Sequence, residues 1–294
     1  MTARAFFFGN DGRLRTPWKW VCFLFVLVVA MAVLSVVSVY LVRPTTYWQK
    51  QTVAFWSLLL AGLFAHQVML RWVDRRPWSF VGLGRIQATL PRLAVGLLLG
   101  SACILIPSGV LLLVRWLQTE PAGASGGAVG TWLSYAATLA LFFLPQSLAE
   151  EVMARGYLFA TAREGMGWKG ALLLTSVIFG LLHYGNPGAD VQSTLLVTLA
   201  GVFLGGILLL TDSLYAAWMA HFAWNWSMAA VLHTAVSGLP TTAPGYRIVD
   251  SGPDWATGGS WGPEGGVGAA LGMMAGLWAL MAWRRRGRTT VNES

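Results

Sequence analysis

The sequence predicts an all-α fold, a polytopic membrane helix bundle of about eight transmembrane helices. Only 11% of the residues are charged and 56% are hydrophobic, whereas soluble domains are about a quarter charged. The hydrophobic residues fall in runs of the roughly 20 residues that a helix needs to cross a bilayer. A few ionisable side chains lie inside these runs, where they are costly unless they are paired or face water. These side chains mark the expected functional site.

About eight apolar runs match the length of a membrane-spanning helix. In chain order they are Trp18 to Val42, Thr52 to Trp72, Leu90 to Trp116, Thr131 to Ala149, Lys169 to His183, Val191 to Leu210, Ser213 to Val231, and Val267 to Trp283. The fourth run is expected to continue as a helix toward Arg163. The first exceeds the signal-peptide core of about 7 to 15 residues and is interpreted as a retained span. With no repeat or soluble domain visible, residues 1–294 are predicted to form a single integral-membrane domain.

The basic residues fall at alternate connections between the predicted spans. The N-terminal segment, the second-to-third connection, the fourth-to-fifth connection with Arg163 and Lys169, and the C-terminal tail are all basic. By the positive-inside rule, both termini of this multi-pass protein are predicted to be cytoplasmic, in a plasma or inner membrane. The loop of residues 237–266 has more acidic than basic residues and is predicted to be extracytoplasmic.

The formal net charge of +8 comes mainly from arginines at the edges of apolar runs. This distribution is what orientation in a bilayer requires, and it gives no reason to expect nucleic-acid binding. The lipid bilayer is therefore the predicted partner for the basic residues. Cys22 and Cys103 both lie in apolar runs, which indicates neither a disulfide framework nor a cysteine metal site.

Two adjacent carboxylates and an arginine follow the fourth apolar run, at Glu150, Glu151 and Arg155. Glu151 and Arg155 are four residues apart and share a helix face, so they are predicted to form a structural ion pair. Glu150 lies about 100° around the same helix and points elsewhere. We therefore interpret Glu150 as the free carboxylate of the site.

Two further spans carry histidines at helical spacing. The fifth ends with Phe179 and His183, and the seventh contains His221 and Asn225, each pair four residues apart. At about 1.5 Å per residue from the cytoplasmic ends, Glu150, His183, His221 and Asn225 lie roughly 20, 21, 12 and 18 Å deep. The four side chains are therefore expected to meet in one layer within the bilayer.

A carboxylate, two imidazoles and an amide can hydrolyse a peptide bond without a covalent nucleophile. The carboxylate can accept a proton from water and return it to the leaving amine, while an imidazole shares the activation of the water. Another imidazole and the amide can stabilise an oxyanion. Glu150, His183 and His221 are alternatively a plausible Zn²⁺ ligand set with an open position for water. The His-Glu-x-x-His pattern typical of zinc proteases is missing from the sequence.

These residues resemble the three motifs of the CPBP family, the CAAX-protease and bacteriocin-processing (Abi) group of intramembrane endopeptidases. The family patterns are Glu-Glu-x-x-x-Arg, Phe-x-x-x-His and His-x-x-x-Asn. They stand here, in the family's order, as Glu150-Glu151-x-x-x-Arg155, Phe179-x-x-x-His183 and His221-x-x-x-Asn225. The resemblance covers residues 134–231, which would be a CPBP-like catalytic core.

The resemblance implies an eight-helix bundle with an intramembrane catalytic cavity. It implies that Glu150 and His221 activate water and that His183 and Asn225 form the oxyanion site, with no metal cofactor. The expected substrate is a membrane-associated or C-terminally anchored peptide or protein. The family includes prenyl proteases and bacterial-type members with other substrates, and the sequence leaves that choice open.

Two functions from other classes remain open. A non-catalytic membrane scaffold or immunity protein could keep the same fold, although such a role does not need this set of side chains. A proton-coupled transporter would also use membrane carboxylates and histidines, but neither inverted repeats nor paired broken helices are visible. His66 and His233 are predicted to be packing or interfacial residues outside the site.

Overall fold

The computed structural model describes residues 3–9, 11–122, 129–241 and 244–292. Ten α-helices and two short strands occur within this part of the chain. They are α1 (Ala3–Phe7), α2 (Thr16–Leu41), α3 (Tyr47–Val68), α4 (Leu90–Leu113), β1 (Leu117–Ala122), α5 (Val129–Arg155), α6 (Tyr157–Leu182), α7 (Val191–Thr211), α8 (Leu214–Trp226), β2 (Gly245–Asp250), α9 (Asp254–Thr257) and α10 (Val267–Asn292). The all-α bundle predicted from the sequence is confirmed.

Six segments among the described residues are long and apolar enough to cross a membrane. They are Thr16–Leu41, Tyr47–Val73, Leu90–Leu113, Val129–Gly185, Val191–Thr211 and Val267–Arg286. The fourth contains both α5 and α6, and α8 is short but continues through a π-helical turn to Leu232. The fourth segment therefore covers two of the predicted runs, and α8 corresponds to a further run that is not among the six. Together they account for the eight predicted runs. The protein is an integral, multi-pass membrane protein.

Side-chain and backbone contacts fix which helix ends lie together. At one end they join the start of α2, the α3–α4 connection, the starts of α6 and α8, and the ends of α7 and α10. They are Lys19 to Asp74 (2.6 Å), Trp20 to Thr161 (2.9 Å), the Leu214 amide to the Gly82 carbonyl (3.0 Å), and Arg284 to the Leu210 carbonyl (2.6 Å). Because most of the arginine-rich connections meet here, we call it the basic end.

The opposite end of the bundle carries a two-stranded antiparallel sheet that the sequence analysis did not predict. β1 pairs with β2 from Leu117 opposite Asp250 to Ala122 opposite Gly245. The loop of residues 237–266 therefore contains regular structure, including β2 and α9. Gln192 in the first turn of α7 fastens this loop by donating to the Gly265 carbonyl (2.8 Å).

Asp190 begins α7 at the same end. Its carboxylate accepts hydrogen bonds from the Ser193 amide and the Ser193 hydroxyl, both at 2.7 Å. The Ser193 amide, and to a lesser extent the Ser193 hydroxyl, holds the pKa of Asp190 below its usual range. The charged cap satisfies a helix-terminal N–H and complements the helix dipole.

The predicted extension of the fourth span toward Arg163 is interrupted. α5 ends at Arg155, and α6 starts at Tyr157 after a non-helical Gly156 with φ −82° and ψ −125°. His66 of α3 occupies the space beside this break, and its Nε2 accepts a hydrogen bond from the Tyr157 amide (2.8 Å). A Cβ at Gly156 would overlap the His66 ring, so this approach requires glycine.

Small residues also bring α4 and α8 together. Gly96 and Gly100 lie one turn apart, and a Cβ at either would overlap the backbone of Ala216 or Ala220 on α8. Close approach of membrane helices at glycines is favoured because van der Waals contact replaces the hydrophobic effect there. The packing fixes the segment of α8 that immediately precedes His221.

Candidate active site

Glu150 lies between the two histidines of the predicted site. Its Oε2 is 3.7 Å from His183 Nε2 and 3.7 Å from His221 Nε2. Among the residues that the structure describes, no side chain or backbone group hydrogen-bonds this buried oxygen. The distances exceed that of a direct hydrogen bond and are in the range in which a water molecule can bridge two polar groups. Three elements, α5, the end of α6 and α8, thus direct polar atoms at one point.

The ring of His183 is held in one orientation by its own helix. Its Nδ1 lies 2.8 Å from the Phe179 carbonyl oxygen, one turn earlier. Because a carbonyl only accepts hydrogen bonds, Nδ1 must carry the proton. In the neutral ring Nε2 then has a free lone pair, and it can donate only when the imidazole is protonated.

His221 is oriented by Glu151. Its Nδ1 is 2.9 Å from Glu151 Oε1, which also accepts from Arg155 Nη1 at 3.0 Å. The ion pair predicted between Glu151 and Arg155 is therefore present, and it is buried, with side chains 0% and 1% exposed. The carboxylate fixes the Nδ1–H tautomer of His221, which leaves Nε2 as an acceptor facing Glu150.

Arg155 connects this ion pair to the neighbouring helices. Its Nη2 donates to the Gly201 carbonyl of α7 (3.1 Å), and its guanidinium carbon lies 4.2 Å from the centre of the Phe179 ring. Phe179 in turn contacts the His183 ring, with centroids 4.6 Å apart. Phe179 therefore packs between the charged pair and a site histidine.

Gln146 is a site residue that the sequence analysis missed. Its Nε2 donates to Glu150 Oε1, and its Oε1 accepts from Asn225 Nδ2 (3.1 Å). Asn225 thus reaches Glu150 through Gln146. Its position in the sequence could have indicated this role, because Gln146 is a polar residue one turn before Glu150 in an otherwise apolar run. The two oxygens of Glu150 therefore differ: Oε1 binds an amide, whereas Oε2 faces the histidines.

The two remaining histidines lie elsewhere. His66 is buried at the α5–α6 break, with Nδ1 2.7 Å from the Gly62 carbonyl oxygen. His233 lies near the opposite end of the bundle, between the carbonyls of Tyr246 (2.9 Å) and Ala230 (3.1 Å). Both have the packing roles predicted for them.

A cavity of about 810 Å³ contains Glu150, His183, His221 and Asn225. Side chains of α2, α3, α5 and α6 line most of it and are largely apolar, among them Leu24, Phe55, Phe142, Leu174 and Ile178. At the end opposite the basic end its lining includes Gln51, Asn186 and Ser237. The cavity can therefore hold an extended apolar chain beside the polar cluster.

Glu264 supports the site from the loop of residues 237–266. Its Oε2 accepts from Trp224 Nε1 (2.9 Å), next to Asn225, and its Oε1 accepts from the Ser237 amide (2.6 Å). The loop therefore ties the α8 segment that carries Asn225 to the rim of the cavity.

A Zn²⁺ site requires about three or four ligand side chains grouped around one point. Across the described ranges, no three His, Cys, Asp or Glu side chains are grouped as such a site requires. Glu150, His183 and His221 are nevertheless directed at one point, and each imidazole has its Nδ1 anchored, as in metal-ligating histidines. This arrangement is compatible with water activation by Glu150 alone and with water activation by a bound metal.

Residues 131–227 match the family described as type II CAAX prenyl endopeptidase Rce1-like. The match supports a CAAX protease family assignment for this segment. The segment contains all three motifs and every polar residue of the cluster around Glu150. No curated protein and no solved structure matches the chain. The similarity supports an intramembrane endopeptidase that acts on a peptide embedded in the membrane.

Proposed function

We propose that the chain hydrolyses a peptide bond within the membrane by means of a water molecule that Glu150 activates. The observation that carries this proposal is the unpartnered Glu150 Oε2 at 3.7 Å from two imidazole Nε2 atoms, within the described residues. A buried carboxylate with a free oxygen is an efficient proton acceptor, provided the proton donor is held within hydrogen-bond reach.

In the first step, Glu150 Oε2 accepts a proton from water while the water oxygen bonds to the peptide carbonyl carbon. His221 Nε2 has a lone pair because Nδ1–H is bound to Glu151. It accepts a hydrogen bond from the other O–H group of the water and so orients the attack. In the second step, protonated Glu150 returns its proton to the amide nitrogen as the C–N bond breaks. Protons and electron pairs balance without a covalent enzyme intermediate.

The oxyanion of the tetrahedral intermediate is stabilised by Asn225 and His183. Asn225 offers amide N–H groups, of which one now binds Gln146 (3.1 Å). His183 donates from Nε2 in its imidazolium form, because its Nδ1–H is held by the Phe179 carbonyl. Hydrogen-bond donors fixed in a cavity of low dielectric stabilise a developing oxyanion more than the same donors do in water.

The shape of the cavity supports an apolar, membrane-embedded substrate segment. Its apolar walls extend along α2, α3 and α6, beside the polar cluster. A membrane-associated or C-terminally anchored chain can place its backbone next to Glu150 while its side chains contact these walls. Residues 134–231 are the proposed catalytic core of a single domain that comprises residues 1–294.

The basic end is proposed to face the cytoplasm. The N-terminal segment, the α3–α4 connection and the C-terminal arginines lie at this end, which the positive-inside rule assigns to the cytoplasm. Both termini are then cytoplasmic, and the sheet of β1 and β2 is extracytoplasmic. This orientation is tested with cysteines introduced singly near Arg85 and Arg247. In intact cells, a membrane-impermeant thiol reagent should modify only the cysteine near Arg247.

The function is tested by comparing membranes that contain wild-type protein with membranes that contain Glu150→Gln. Mass spectrometry of protein termini should find new carboxyl termini with the wild type and none with Glu150→Gln. Identical sets of termini would contradict the proposal. They would instead favour the non-catalytic scaffold or immunity protein, as would a wild-type phenotype in both Glu150→Gln and His221→Ala.

Zinc-dependent hydrolysis is the second candidate, favoured by the convergence of Glu150, His183 and His221. A bound Zn²⁺ would lower the pKa of water and polarise the carbonyl. Purified protein analysed for metal content and assayed with a chelator separates the two mechanisms. Glutamate-only hydrolysis predicts full activity in metal-free protein, whereas loss that Zn²⁺ restores would support the metal.

A further inference from the structure

A second cavity, of about 310 Å³, lies at the basic end of the bundle, where α3 ends. Gln67, Leu70, Arg71, Arg75, Arg76 and Trp78 line it. The chain leaves α3 through a π-helical segment, Met69–Val73, and turns at Arg75, where φ is 52°. This irregular backbone brings three arginines that are close in sequence to the same cavity.

The nearest acidic residue in sequence does not neutralise these arginines. Asp74 points into the protein, and its side chain is 6% exposed. Its Oδ1 is 2.6 Å from Lys19 Nζ, and its Oδ2 accepts from the Tyr157 hydroxyl (2.6 Å). Asp74 is therefore committed to a buried contact that joins α2, α3 and α6.

The arginines themselves are unequally paired. Arg76 Nη2 is 3.0 Å from Glu164 Oε1, in a partly exposed ion pair. Arg71 and Arg75 are exposed, and neither has an acidic partner among the residues that the structure describes. Two guanidinium groups thus face the cavity with no counter-charge from the described protein.

We infer that this cavity binds a phosphate group, supplied by the headgroup of an anionic phospholipid. A guanidinium fork matches phosphate oxygens in a bidentate manner, so paired arginines recognise phosphate better than a diffuse positive charge does. Basic pockets beside membrane helices are suited to lipid headgroups. Trp72 and Trp78 flank the arginines, as tryptophans do where a protein meets the headgroup region.

The site is independent of the proteolytic site, so it is tested by binding alone. Full-length protein is purified in a zwitterionic detergent and titrated with phosphatidylglycerol or phosphatidylcholine, and bound lipid is counted by native mass spectrometry. Wild type should bind phosphatidylglycerol preferentially, and Arg71→Gln/Arg75→Gln should weaken that binding roughly tenfold. Both arginines are exposed, so the double variant should fold normally, which its thermal unfolding checks.

The matched control is Arg13→Gln/Arg85→Gln, which removes the same charge at exposed positions outside the cavity. It should bind phosphatidylglycerol like the wild type. Equal weakening in both double variants would overturn the inference, because a diffuse basic surface would then suffice. Arg71→Lys/Arg75→Lys keeps the charge without the fork and should bind with intermediate strength, whereas full binding would contradict bidentate recognition.

Inorganic phosphate is titrated in a separate arm to distinguish the two sources of the anion. Lipid specificity predicts that millimolar phosphate neither binds detectably nor displaces phosphatidylglycerol. Saturable phosphate binding that Arg71→Gln/Arg75→Gln abolishes would support the phosphate site but overturn the lipid as its source.

Discussion

His221 Nδ1 lies 2.9 Å from Glu151 Oε1, so the second glutamate of the motif contacts a site histidine as well as Arg155. A carboxylate in this position holds the ring in the Nδ1–H tautomer, so Nε2 keeps its lone pair for the attacking water. Glu151 is thus a positioning residue in the proposed mechanism, in addition to its structural role in the buried ion pair.

Glu151→Gln tests this role. We expect kcat to fall by roughly 10²-fold or more with little change in KM, because an amide can bind His221 as a donor and favour the other tautomer. Removal of the charge also leaves Arg155 buried without its counter-ion, which costs about 3–5 kcal/mol of stability. Kinetics below the unfolding temperature of the variant separate the two effects, and Glu151→Asp should recover part of kcat. Unchanged kcat in folded Glu151→Gln would contradict the role.

Gln146→Leu tests the amide that binds Glu150 Oε1. Without this donor the carboxylate is no longer held in the orientation that directs Oε2 at the histidines, so kcat should fall by roughly tenfold or more with little change in KM. Gln51→Leu is a matched control, since Gln51 also lines the cavity but is remote in sequence from the cluster. An equal loss of kcat in both variants, or none in Gln146→Leu, would show that the hydrogen bond does not position the base.

His183→Gln and His183→Ala test the oxyanion site. Because Nδ1 is bound to the Phe179 carbonyl, His183 can reach the substrate only through Nε2. Glutamine supplies an amide donor, so His183→Gln should retain part of kcat, whereas His183→Ala should lower kcat by roughly 10²–10³-fold. The measurement is the turnover of both purified, folded variants. Turnover of His183→Ala equal to that of the wild type would contradict the role of His183 at the oxyanion.

Gly156→Ala tests the break between α5 and α6. The added Cβ overlaps the His66 ring, so overpacking should lower the free energy of unfolding by about 1–3 kcal/mol. Gly109→Ala in α4 is the control, because a Cβ there meets no atom of the described chain within 4 Å. Alanine at Gly109 should leave stability unchanged or raise it, by up to about 1 kcal/mol. Thermal unfolding of both variants in the same detergent gives the comparison, and equal stabilities would contradict the packing described for Gly156.

Hydrophobic length and helical spacing were sufficient to predict the bundle and the cluster. The runs of apolar residues predicted the long helices, and the four-residue spacings singled out His183, His221 and Asn225 and left Glu150 as the free carboxylate. These features depend on local sequence. The depth calculated for Glu150 assumed an unbroken helix back to Arg163, which the break at Gly156 interrupts.

Features that depend on contacts between distant segments were not predictable in this way. The hydrogen bond between Glu151 and His221 depends on how α5 and α8 are rotated relative to each other. Residue spacing within one helix gives no information on that rotation. The Gly156 break depends on the ring of His66, 90 residues earlier in the chain. Likewise, β1 and β2 are short segments that gain strand structure from pairing with each other.

The central claim, that Glu150 is the general base, is tested most directly by the turnover of purified protein on a substrate identified from its cleaved termini. Glu150→Gln is compared with Glu164→Gln, which makes the same chemical change in the partly exposed ion pair with Arg76. We predict that Glu150→Gln lowers kcat by roughly 10²–10⁴-fold or more while Glu164→Gln retains it. Turnover of folded Glu150→Gln within about twofold of the wild type would contradict the mechanism.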